Sequence, residues 1–197
     1  MSSSSRCAAR PDPARRALVL AGPWLAAGAL ALPRRAAAQA SPPPEVASEL
    51  PGARLQGEGR LRFLGLHVYD ALLWTQRPLD ASEHERVPLA LELRYARALR
   101  GALIAERSVE EMRRVGEVGD EQARRWLAAM TQLFPDVKAG ERITGVQRPG
   151  EAARFHLNGR FAGEVRDAAF ARLFFAIWLS PRTSEPTLRS ALLGQRP

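Results

Sequence analysis

Cysteine is almost absent from this chain of 197 residues: Cys7 is the only one, and Lys138 is the only lysine. A single thiol excludes an internal disulfide and a cysteine-built metal cluster. The three histidines, His67, His84 and His156, are far apart in sequence, two in predicted strands and one in a charged loop. They do not form a ligand set with metal spacing, so neither a metal nor a cofactor is expected. Also missing are a G-x-S-x-G elbow, a Walker loop and an H-E-x-x-H helix, and Gly57-Glu58-Gly59 is too short to cradle a phosphate. Basic charge is scarcer than it looks. The formal net charge is +8, but residues 1–40 hold six arginines against Asp12 alone, which leaves about +3 on the rest. A nucleic-acid partner is therefore not expected, because such proteins keep a concentrated basic face.

What is present begins with a leader. Arg10, Arg15 and Arg16 form a basic segment, Ala17 to Leu32 an apolar run, and Ala38-Gln39-Ala40 a small-x-small signal before Ser41. This is the three-part plan of a cleavable secretory signal peptide over residues 1–40. The run is shorter than the roughly 20 residues that span a bilayer, so no stable membrane insertion is expected once it is removed. Arg15-Arg16 partly resembles a twin-arginine signal. The expected location is periplasmic or secreted.

Residues 41–53, with Pro42-Pro43-Pro44, read as an extended proline-rich linker, and residues 54–197 as one domain. Leu55 to Thr75 reads as a hairpin in which Leu61 and Phe63 alternate with Arg60 and Arg62, and Gly65 makes the turn. Pro88 to Ala96 alternates as a strand. Two helices follow, over 101–115 with Leu103, Val109 and Met112 on one side, and from an Asp120 cap to Phe134. Strands are expected over 141–147 and 153–157, a hairpin at Asn158-Gly159, and a strand to Val165. Asp167 caps an apolar helix, 168–179, before a short helix that Gly194 ends. Strands in runs, with helices grouped between them, predict an α+β fold with an antiparallel sheet and helices packed on one face.

Two features carry possible chemistry. Arg60 and Arg62 share one face of a strand whose other face is apolar. If they looked into a cavity, a guanidinium there would hold a carboxylate in bidentate fashion; the alternative is an outward edge pair. The helix 168–179 is apolar nearly all round, so it is either core or one wall of a hydrophobic pocket. The carboxylates of Glu110, Glu111, Asp120 and Glu121 sit beside arginines and read as solvated helix faces.

The run from Gly57 to Trp74, GEGRLRFLGLHVYDALLW, resembles the opening hairpin of the chalcone isomerase-like family. Asn158 to Asp167 and Leu173 to Pro181, followed by Leu188 and Ala191 to Gly194, fit the same family in the same order. The resemblance implies an open-faced β-sandwich, a large antiparallel sheet with a layer of helices against it. The family holds plant enzymes that close a chalcone to a flavanone, fatty-acid-binding relatives, and exported bacterial members. Enzymes and fatty-acid binders place an arginine two residues after the second hairpin glycine. Here that position is Leu61, with Arg60 and Arg62 on either side. The enzymes' threonine on the second strand matches Tyr69, their later tyrosine and asparagine find no equivalents between Met112 and Trp126, and the final-helix hydroxyl gives way to apolar residues near Leu173 to Ala176.

Three readings result. The first is a non-catalytic periplasmic protein that binds a small hydrophobic ligand such as a fatty acid, with Arg60, Arg62, Tyr69 and Tyr95 as polar contacts. The second is an intramolecular lyase or isomerase on an unknown substrate. The third is a cell-envelope interaction module with no pocket.

Overall fold

The computed structural model describes residues 40–195. The expected signal peptide lies outside the described residues, apart from Ala40. Six strands form one antiparallel meander in chain order: β1 (Arg54–Phe63), β2 (Leu66–Thr75), β3 (Leu89–Tyr95), β4 (Arg142–Arg148), β5 (Ala152–Leu157) and β6 (Arg160–Val165). Helices α2 (Gly101–Val115) and α3 (Asp120–Leu133) connect β3 to β4, and α4 (Ala168–Leu179) and α5 (Pro186–Leu192) close the chain. This is the α+β arrangement expected from the strand runs and the open-faced sandwich implied by the resemblance.

Period-two alternation divides the sheet. Ala71, Leu73, Leu91, Leu93, Ile143 and Phe155 face the helices and form the main core with Met112, Trp126, Phe170 and Phe174. Helix α4 is apolar all round because it has neighbours all round: β4 and β5 beneath it, with α2 and α5 alongside. Asp167 fixes where it begins. One carboxylate oxygen accepts from Ala169 N and Phe170 N at 2.9 and 3.0 Å, and the other accepts from Trp126 Nε1 of α3 at 2.9 Å. Asp120 is not the cap of α3. Gly119 holds that position, and Asp120 instead pairs with Arg113. In α2 the buried stripe is Gly101, Ala105, Ser108, Met112 and Val115, while Leu103 is exposed.

The hairpin glycines have a packing role. A Cβ on Gly57 would overlap the carbonyl oxygens of Ala191 and Leu192, and one on Gly59 would press on Leu188. Helix α5 therefore lies directly on the backbone of β1, closer than any side chain would allow.

The opposite face holds a surprise. Residues 44–49 do not continue an extended linker but form helix α1 (Pro44–Glu49). Val46, Leu50 and Ala53 pack with it onto Leu72, Trp74, Ala90 and Val146. Proline is well placed in a first turn, where no N–H is missed, so a proline-rich segment was compatible with a helix start. Glu45 accepts from Arg142 Nε and Nη2 at 2.8 and 3.0 Å and from Thr144 Oγ1 at 3.0 Å. Glu49 accepts from Arg148 at 2.6 Å and Arg154 at 3.0 Å. Helix α1 is thus clamped by ion pairs that supply partners for buried carboxylates. Among the described residues the two hydrophobic clusters run from Val46 to Leu193.

Two outcomes follow from this packing. Gly57→Ala is expected to cost about 3 kcal/mol, because backbone must move. Gly145→Ala, which meets only side-chain rings, of Phe175 at 3.3 Å and Phe155 at 3.5 Å, should cost clearly less; denaturant titration of both variants ranks them. Acid should destabilise in two steps. Burial, chiefly, lowers the pKa of His156 despite Glu49 and Glu45 nearby. The unfolded chain then takes up that proton near 6.5 and the folded one does not, so stability falls as pH drops below this value. Burial alone would raise the pKa of Glu45, but the bonds from Arg142, its own backbone and Thr144 outweigh it and hold it below 4.5. Its contribution is present above 4.5 and lost as pH falls through the depressed value. Thermal melts of His156→Gln against pH should lack the first step and keep the second.

Candidate functional site

A cavity of about 370 Å³ opens between the helix-side face of the sheet and helices α2 and α4. Its floor is a cross-strand row: Leu61 of β1 pairs with Tyr69 of β2, which pairs with Tyr95 of β3. Leu93 and Ile143 continue the floor, and Phe134, Phe174, Ile177 and Trp178 form the inner walls. Toward the mouth stand Phe63, Val68, Leu103, Arg97 and Arg107. A register irregularity lies between Leu61 and Arg62, where the pairing steps from Tyr69 to His67. The extra residue is Val68 on β2, so Val68 and Tyr69 are consecutive and both line the cavity.

That irregularity does not turn an arginine inward. Leu61 and Phe63 take the cavity side, and Arg60 and Arg62 are exposed and outside the lining. Arg60 donates to Asp70 at 2.7 Å, and Arg62 Nη1 donates to the Gly65 carbonyl at 3.3 Å. Placing the two as contacts to a ligand within the cavity is therefore corrected: strand alternation sends them to the other face. Tyr69 and Tyr95 do line the cavity.

The two tyrosines meet edge to face, with ring centroids 5.9 Å apart. Trp178 Nε1 donates to the Tyr69 hydroxyl at 3.0 Å, which leaves the hydroxyl proton of Tyr69 free to be donated. Burial pushes the Tyr69 phenol far above its ordinary value, against the opposing effect of the Trp178 bond; burial, and to a lesser extent Tyr69, does the same to Tyr95. Both phenols are neutral hydrogen-bond donors over the whole useful pH range.

Sequence reasoning missed Glu111. It was expected on a solvated face, but it is only 4% exposed and lines the cavity. Arg107 Nη2 and Arg114 Nε stand 2.5 and 3.3 Å from its oxygens, yet neither oxygen meets hydrogen-bond geometry with a donor among the described residues. Its position three residues after the buried Ser108 and four before Val115 was the available signal. Arg97, at the mouth, has no ion pair among the described residues. No group of three metal-ligating side chains occurs among the described residues.

With this geometry in view, comparisons with known proteins are informative. A family described as chalcone isomerase-like matches residues 50–194. The match begins at the residue after α1, so the whole of that helix lies outside it. No curated protein matches. Among solved structures, a fatty-acid binding protein of Arabidopsis thaliana superposes with a TM-score of 0.57 and 18% identity, over 73% of this chain and 87% of that one. At that identity the shared property is the fold.

The chain has only two tyrosines, which makes their burial directly measurable. Alkaline titration followed by phenolate absorbance should show no ionisation near pH 10 in the folded protein, and both groups should ionise together at alkaline unfolding. The unfolded chain loses these protons near 10 and the folded chain does not, so stability falls as pH rises beyond that point.

Proposed function

Because the chain belongs to the chalcone isomerase-like family, matched over residues 50–194, we propose that it is a non-catalytic carrier of a small hydrophobic ligand with one polar end, such as a fatty acid. The observation that carries this reading is the cavity itself: about 370 Å³, apolar on nearly every wall, with Tyr69 and Tyr95 as paired donors on its floor. That volume lies within the range of roughly 300–1,000 Å³ typical of small-ligand sites. An apolar tail gains burial against Leu93, Phe134, Ile143 and Phe174, and an oxygen at its polar end accepts from the phenols. The Arabidopsis neighbour of the same fold is a fatty-acid binding protein, which supports the same class of ligand.

An isomerase of the plant type would have to hold a phenolate beside an enone and stabilise the developing enolate with fixed donors. At the hairpin position where those enzymes carry arginine, this chain places Leu61 on the cavity floor. The oily surface suits retention better than proton-coupled ring closure. The leader, with Arg15-Arg16, the apolar run Ala17 to Leu32 and Ala38-Gln39-Ala40, supports work in the periplasm after cleavage.

Protein beginning at Ser41, purified and extracted into organic solvent, should release lipid detectable by mass spectrometry, and the emptied protein should take up a fluorescent fatty acid. Leu61→Trp, at a half-buried site, should fill the floor and weaken uptake by about tenfold or more, with a small change in melting temperature. Protein that carries no lipid and retains no added fatty acid overturns the proposal.

A further inference from the structure

The β1–β2 hairpin ends in a turn that the rest of the chain shows how to build more stably. Leu64 and Gly65 have φ of +49° and +78°; Asn158 and Gly159, at the β5–β6 hairpin on the same end of the sheet, have +49° and +86°. Both turns are the left-handed pair that suits a two-residue hairpin, and Asn-Gly is its favoured sequence. Leucine in the first position is strained by its Cβ, and Asn tolerates it. This leucine also gains nothing from packing, because it is 86% exposed.

Leu64 is not alone. Phe63 is 64% exposed, Leu66 53% and Leu103 of α2 44%. Phe63 and Leu103 both line the cavity, Leu66 pairs with Phe63 across the hairpin, and Leu64 stands in the turn between them. Cations stand beside them. Arg62 is exposed at the hairpin end, and Arg97 is exposed at the mouth. Neither has an acidic partner among the described residues. A strained, exposed leucine at the tip of an apolar hairpin end, beside guanidiniums that have no acidic partner, matches the two layers of an anionic bilayer surface: acyl chains below, phosphates above.

We infer that the β1–β2 hairpin tip docks reversibly on an anionic phospholipid surface, with Leu64, Phe63 and Leu66 entering the acyl boundary and Arg62 and Arg97 meeting headgroup phosphates. Docking seats the cavity mouth against the bilayer, where an apolar ligand passes without crossing water. The surface shares Phe63 and Arg97 with the cavity mouth, but Leu64, Leu66 and Arg62 lie outside the lining, so the two can be tested apart.

The test is co-sedimentation of protein beginning at Ser41 with vesicles of phosphatidylcholine, with and without phosphatidylglycerol. The wild type should pellet with the anionic vesicles and far less with the neutral ones. Leu64→Asn installs the favoured turn, so it should melt at the same or a higher temperature while vesicle binding falls about tenfold. Arg62→Glu with Arg97→Glu should abolish the preference for anionic vesicles. Uptake of a fluorescent fatty acid in vesicle-free solution, measured on the same variants, should be retained by Leu64→Asn; its loss in the wild type would strike the carrier reading and not this one. Wild-type protein that ignores anionic vesicles overturns the inference, as does undiminished binding by Leu64→Asn. A Leu64→Asn effect confined to self-association would assign the tip to a second copy of the chain and overturn it equally.

Discussion

Side chains alternate along a strand, and in β1 that alternation assigns Gly57, Gly59, Leu61 and Phe63 to the helical layer and Arg60 and Arg62 to the other side. The two glycines let α5 settle on the strand backbone. Two residues on, the contact ends, and the same row opens into the cavity at Leu61 and its mouth at Phe63. One strand therefore serves as a closed joint at its start and an open floor at its end. Its register could not slip by one residue without driving guanidiniums into α5, so the burial of the joint fixes the polarity of the cavity.

The sheet is asymmetric in how it meets water. On the helical side nearly everything is apolar, and the strength comes from area removed from solvent. On the other side the middle strands carry Glu92, Arg142, Thr144, Arg148, Arg154 and His156, covered in part by α1. Removing one partner of such a pair leaves a buried charge behind, a far larger loss than the pair's own net gain. Helix α1 offers only Val46 and its C-terminal neighbours Leu50 and Ala53 to the apolar cluster, so its docking depends also on the bonds that Glu45 makes to Arg142 and Thr144 and Glu49 to Arg148 and Arg154.

Most of the fold was legible because it rests on strong local signals. Alternation in Leu89 to Tyr95, Asn158-Gly159 and the Asp167 cap each specify their element from a few neighbouring residues. Helix α1 was not legible. Six residues hold under two turns of periodicity, its prolines imitate a linker, and its carboxylates are buried by arginines about a hundred positions away. The cavity was half legible. The tyrosines lie in well-patterned strands, whereas Glu111 looked solvated because it sits among Glu110, Arg113 and Arg114. The face of the two arginines was left open between a cavity contact and an outward pair, because only the register of β1 decides it.

Departures from the most stable arrangement are also unevenly placed. The far side of the sheet uses Asn where a left-handed residue is needed and caps α4 with two bonds to backbone. Around the top of β1–β3 the rules are broken together: a leucine in a left-handed turn, an unfilled space among aromatic rings, and a buried carboxylate whose oxygens lack well-directed donors. Each costs stability, and each has a cheap remedy in ordinary side chains, as Asn158 demonstrates within the same molecule. Buried polar atoms without partners also occur away from the cavity, at His84, Gln147, Arg154 and His156, so what sets this end of the sheet apart is the coincidence of a left-handed leucine, an apolar cavity and a buried carboxylate within a few residues of one another. The cavity also ranks above the groove lined by Arg148, Arg154 and Arg166, because the guanidiniums of that groove already have the carboxylates of Glu49 and Glu164 as partners and offer an apolar ligand little surface.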